Sequence, residues 1–170
     1  MKVERQATEE LDRLAGLVGR IEVGMLTTIG PDGSLRSRPL QTLQMDAEGR
    51  LWFFTEADSP KTGEMEAHDQ QVCLSYADPD KTSYVSVSGT GRLVRERERM
   101  RELWKPLLKA WFPRGPDDPA LALLEVRLDK AEFWDSPGSA TMRKSGLVDN
   151  VKTVGPRSAA PGDEAKLPKP

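Results

Sequence analysis

Turn-forming clusters recur so often along this chain that, past an N-terminal amphipathic stretch, only two short helical patterns fit between its β-rich runs. Pro31-Asp32-Gly33 separates the run 23–29 from the run 35–44, Asp46 to Gly49 precedes 51–55, and Asp78-Pro79-Asp80 separates 72–77 from 84–88. Connections this short join antiparallel neighbours, because parallel strands need a crossover of a dozen residues or more. A doubly wound parallel sheet is therefore disfavoured, and neither a G-x-G-x-x-G nor a Walker loop is present. The expected fold is mainly β with helices (α+β), with six or seven antiparallel strands forming a small barrel.

The other elements follow from periodicity. Ala7, Leu11, Leu14, Val18 and Ile21 recur at helical spacing and predict a helix over 4–20. A second, short helix is expected over 60–67. Gly89 and Gly91 mark a bulge or bend between Tyr84-Val85-Ser86-Val87-Ser88 and the continuation at 92–94. Over 96–112, Met100, Leu103, Trp104, Leu107, Leu108 and Trp111 share one helical face, which Pro106 should kink or split. The runs 121–128 and 131–135 close the barrel as one strand or a pair. Past Ser136, Pro, Gly, Ser, Ala and Lys dominate. The expected organisation is one domain over 1–138 and a flexible tail over 139–170, mobile or lying across a partner.

Composition narrows the function. The 170 residues carry 31% charged side chains but a net charge of only -2, with both signs interspersed. No nucleic-acid partner and no membrane partner is expected. The N-terminal stretch has no long apolar run, so neither a secretory signal nor a membrane span is expected. Cys73, the lone cysteine, reads as a buried strand residue in a reducing, cytoplasmic setting. With His68 the single histidine, no His/Cys metal site within one chain is expected, and His68 reads as a surface or cap residue.

Two segments carry chemistry. Ser59 is a suitable N-cap, Pro60 suits the first helical position, and Lys61 and Thr62 follow. A helix start of this kind favours an anion, although an ordinary capped helix with a solvated lysine would look the same. Arg36 and Arg38 fall on one face of a strand, where they either solvate the outside of a barrel or grip a phosphate. Pro39 cannot donate to the ladder, and a flat heterocycle could lie along Leu40, Gln41 and Thr42. A phosphate attached to a flat ring suits both segments together, which points to a flavin.

The segments Met25-Leu26-Thr27-Thr28, Arg38-Pro39-Leu40, Leu51-Trp52-Phe53-Phe54-Thr55, Ser59-Pro60-Lys61, Val85-Ser86-Val87-Ser88-Gly89, Leu103-Trp104, Trp111-Phe112-Pro113 and Ala131-Glu132-Phe133-Trp134-Asp135 resemble, in order and spacing, the general stress protein 26 family. That family lies among the pyridoxamine 5′-phosphate oxidase-like, flavin-binding split-barrel proteins. The resemblance implies a split β-barrel homodimer with two FMN sites at the subunit interface (FAD being possible). It implies that Arg38 to Thr42 wrap the flavin, that Phe54-Thr55 follow, that Lys61 holds the phosphate, and that Trp134 reaches the ring. Trp134 also fits a plain core or interface anchor. The true oxidase keeps a substrate-binding lysine where this chain has Leu43, and a late Arg-x-His segment is missing after Trp134. Oxidation of pyridoxamine phosphate is therefore not expected. A flavin-dependent oxidoreductase of unknown substrate and a non-catalytic module that stores or senses flavin both fit.

Overall fold

The computed structural model describes residues 1–6, 8–110, 112–135 and the backbone of Val151–Val154. The helix α1 spans Glu9–Ile21, preceded by a two-residue strand β1, Lys2–Val3. It starts later than its periodicity predicts because Thr8 caps it, the hydroxyl accepting from the Leu11 amide ahead of Glu9 and Glu10. Ala7 lies outside the described residues. Then come β2 (Val23–Ile29), β3 (Leu35–Met45), β4 (Leu51–Glu56), α2 (Pro60–Ala67), β5 (Gln71–Asp78) and β6 (Ser83–Val94). After these come α3 (Arg97–Leu103), β7 (Leu121–Asp135) and β8 (Val151–Val154).

The strands run in the order β3-β2-β5-β6-β7-β4, every pairing antiparallel, and β4 returns to β3. That closes a six-stranded antiparallel barrel, the fold the turn spacing predicts. β1 adds to β3 in parallel and β8 to β7 in antiparallel sense. Of the expected tail, only Val151–Val154 is described; the rest lies outside the described residues. The last two β-rich runs are one strand of fifteen residues, and Pro106 does split the third helix: α3 stops at Leu103 and a separate 3₁₀ segment covers Pro106–Ala110. Trp111 lies outside the described residues.

Two apolar layers result. The barrel interior holds Leu26, Leu51, Phe53, Leu74, Val87, Leu124 and Phe133, with Leu14, Leu17 and Val18 of α1 packed against them. A second cluster lies outside the barrel, where Leu43, Trp52, Phe54, Leu121 and Leu123 meet Met100 and Leu103 of α3. β4 contributes to both, Leu51 and Phe53 to the first and Trp52 and Phe54 to the second, which is why it reads as an unbroken apolar run. α1 and α2 reach different ends of the strands. Arg13 of α1 pairs with Asp135, itself bonded to Ser83 at the start of β6. Met65 of α2 sits beside Gly91, near the end of β6. Among the described residues, no helix is long and apolar enough to cross a membrane.

Candidate functional site

The β2–β3 register decides where the two arginines point. Arg38 stands opposite Leu26 and Arg36 opposite Thr28. Both partners are buried, so the guanidiniums lie on the inward row, at the end of the barrel covered by α2, and not on its outer wall. There they meet Glu64, whose side chain is 4% exposed. Arg36 Nη1 donates to Glu64 Oε1 at 3.1 Å and Arg38 Nη2 to Oε2 at 2.8 Å. The Thr28 hydroxyl donates to that carboxylate and accepts from Arg38 Nη1 at 2.7 Å. The Thr28 bond, then the arginines, holds the Glu64 carboxyl below the usual glutamate range against the opposing effect of burial.

Lys61 stands one turn before Glu64 on α2 and is half-buried. Among the described residues it makes no hydrogen bond and no ion pair. Burial, and then the neighbouring Arg38 charge, pulls its pKa below the ordinary lysine value. The carboxylates of exposed Glu56 and buried Glu64 act in the opposite direction and are outweighed. The partly buried end of the barrel thus holds three cations around one buried carboxylate. Ser59 and Thr62 add two hydroxyls 3.2 Å apart. Ser59 occupies the N-cap with extended backbone but makes no side-chain cap, its hydroxyl turning to Thr62 instead. Lys61, Arg38, Ser59 and Thr62 therefore offer the charge and donors that a phosphate monoester needs.

The remaining candidates divide between two faces of β3. Leu40 and Thr42 point inward. Leu40 packs against the barrel core, and Thr42 is buried with its hydroxyl 2.9 Å from that of Tyr76, whose pKa is pushed up by burial. Pro39 and Gln41 point outward, and Gln41 donates to Glu22 at 2.9 Å. Thr55 is buried at the end of β4, and Phe54 meets the Trp104 ring edge-on at 5.9 Å in the outer cluster. Trp134 is half-buried on β7 opposite Tyr84 of β6 and Val151 of β8; no pairing brings it to Arg38 or Lys61. His68 is the C-cap residue of α2. Cys73 is half-buried, not buried, because it points outward opposite Thr27 and Ser88.

That outward face is unusual in its chemistry. On β2 it presents Val23, Met25, Thr27 and Ile29, with Val23 45% and Met25 41% exposed. β5 contributes Cys73, Ser75 and Ala77, and β6 Tyr84, Ser86 and Ser88. The facing stretch of β3 is Leu35, Ser37, Pro39 and Gln41. None of these is charged, in a chain whose residues are 31% charged. A sheet face kept wet would normally carry charges.

A family model described as "Pyridoxamine 5'-phosphate oxidase like" matches residues 9–153. The chain belongs to that family. Protein bli-3 of Neurospora crassa is 26% identical over 158 residues, covering 87% of this chain and 75% of the relative. Among solved structures, the general stress FMN/FAD binding protein of Xanthomonas citri is 28% identical with a TM-score of 0.66, over 78% of this chain and 93% of that one. A putative general stress protein 26 from Jannaschia sp. CCS1 superposes with a TM-score of 0.68 at 22% identity, over 86% and 98% of the two chains. With the general stress protein 26 structure the chain thus shares the split-barrel fold.

Within this pyridoxamine 5′-phosphate oxidase-like family the chain has its own features. Leu43, which the resemblance sets at the position of the oxidase's lysine, is buried in the outer apolar cluster, where an ammonium group would be dehydrated at high cost. Thr28 and Glu64, which hold Arg38, are not identifiable from sequence alone. Glu64 lies at helical i+3 spacing from Lys61, but only the β2–β3 register and the seat of α2 reveal that it meets Arg38. Among the described residues no group of His, Cys, Asp or Glu is arranged to hold a metal.

Proposed function

We propose that the chain is a flavoprotein holding FMN noncovalently, its phosphate at Lys61 and Arg38, in a site formed between two copies of the chain, and that it acts as an oxidoreductase. The observation that carries this reading is Lys61, half-buried, without a partner among the described residues and next to Arg38 and the Ser59–Thr62 hydroxyls. The similar Xanthomonas citri protein, described as FMN/FAD binding, supports a flavin. The uncharged outer face supports a second copy. So does Trp134, which one chain keeps away from the cations and which a partner could bring to them. When bound, the flavin ring supplies electron and hydride transfer; the residues of the chain bind it, orient it and limit its contact with water. The buried, apolar Leu43 supports a substrate other than pyridoxamine phosphate. The lone Cys73 favours a reducing compartment, the cytoplasm.

Visible absorption and fluorescence titration with FMN test the reading directly. The wild type should take up FMN and turn yellow, and reduced nicotinamide should bleach the bound flavin. Lys61→Ala should weaken FMN binding about tenfold or more, roughly 1.4 kcal/mol. A protein that stays colourless with FMN added overturns the proposal, and unchanged affinity in Lys61→Ala removes Lys61 from the site. Parallel titration with FAD decides which flavin is preferred.

A further inference from the structure

Both oxygens of the Glu64 carboxylate are engaged from within the protein, one by Arg36 and the other by Arg38 and Thr28, and the side chain is 4% exposed. Glu64 therefore cannot itself meet a ligand at this end of the barrel. We propose that Glu64 is the positioning residue of the anion site, fixing Arg38, with Arg36 beside it, where a phosphate ester is gripped. This rests on the phosphate reading given above.

Two effects of the carboxylate oppose each other. As a negative charge it repels an incoming anion. As an anchor it holds two guanidiniums within 3.1 Å of its oxygens, beside the Lys61 ammonium one turn earlier. The anchor prevails on physical grounds. Without it, three cations share a partly dehydrated space with no buried counter-charge, and the two long arginine side chains swing into water. Ordering them again consumes part of the binding energy of any ligand. Thr28 strengthens the geometry: by donating to Glu64, its hydroxyl turns a lone pair towards Arg38 Nη1. The other carboxylate at Arg36, Asp32, lies 3.6 Å away on an exposed loop and cannot substitute at Arg38.

The test compares FMN with riboflavin, which has the same ring and no phosphate, by fluorescence titration of the full-length chain, with circular dichroism to confirm folding. Glu64→Gln keeps the shape and removes the charge. It should weaken FMN about tenfold while leaving riboflavin unchanged, so that the preference for the phosphorylated ligand collapses. A purely structural role would weaken both ligands equally, and a simple repulsive role would tighten FMN; either result overturns the proposal, as does an unchanged FMN preference. Should Glu64→Gln fail to fold, Thr28→Val decides: it removes the hydroxyl link, and FMN should weaken about threefold with riboflavin unchanged, an unaltered ratio overturning the role. A wild type that binds FMN no better than riboflavin overturns the phosphate reading and with it the role of Glu64. A wild type that prefers FMN, with variants that keep that preference, overturns the role of Glu64 alone.

Discussion

In the anion site proposed above, Lys61 implies a pH dependence of defined sign. Burial and the Arg38 charge lower its pKa from the ordinary 10.5, so its proton leaves earlier than that of a solvated lysine. A phosphate binds the charged form and restores the proton. FMN affinity should therefore be full at neutral pH and fall as pH rises through the free-state pKa of Lys61, starting below 10.5. Lys61→Arg keeps its charge throughout that range, so its Kd for FMN should rise less with pH than that of the wild type. Kd values measured from neutral to alkaline pH check this, and parallel curves for the two proteins would exclude Lys61 as the titrating group. Arg38 and Lys61 were marked as candidates in the sequence by local strand and helix-start chemistry. Glu64 and Thr28 were not, because their importance comes from a pairing register and a helix seat that no local pattern encodes. For the same reason the sequence left open whether Arg36 and Arg38 faced water, and the burial of Thr42 against Tyr76 was not visible in it.

At the scale of elements, β6 shows how a local signal becomes a closed fold. The register with β7 shifts between Ser88 and Gly89, where Asp129 is the extra residue, and a Cβ at Gly89 would lie 2.1 Å from the Arg127 carbonyl oxygen. Since that neighbour is backbone and part of the ladder, it cannot move aside as a side chain tip can. Gly89→Ala should destabilise the fold by about 3 kcal/mol in urea or thermal unfolding. A loss under about 0.5 kcal/mol would mean that the bulge accommodates a methyl group. The glycines of this bulge were readable in advance, as were the split at Pro106 and the bounds of α2. The start of α1 was not. Its apolar period runs on towards the N-terminus, but the Thr8 cap and the β1–β3 pairing outweigh it. The sequence left open whether β7 was one strand or a pair, because the break between its two apolar runs is the bulge at Asp129 within a single strand.

For the whole molecule, the uncharged wall formed by β2, β5 and neighbouring parts of β3 and β6 is the face to which the proposed contact between two copies is assigned. With a second copy covering it, the wild type should elute from size exclusion as a dimer. Met25, 41% exposed near the middle of that wall, can take a charge without disturbing the interior. Met25→Lys should therefore leave the circular dichroism spectrum intact and elute as a monomer. A monomeric wild type, or a variant that still dimerises, would show that this wall is not the contact. The barrel architecture followed from turn spacing alone, whereas the character of the wall emerges only when the strands are placed side by side, because its members are scattered over four segments of the chain.

Because β4 pairs back onto β3, the barrel is a hoop without a loose seam, and the cations at its rim share its stiffness. Arg38 grows from one of the two strands that complete the hoop, and α2 begins a few residues after the other. On the proposed reading, a ligand arriving at that rim would find Arg38 already standing in place, and little freedom of that side chain would be lost at the moment of capture.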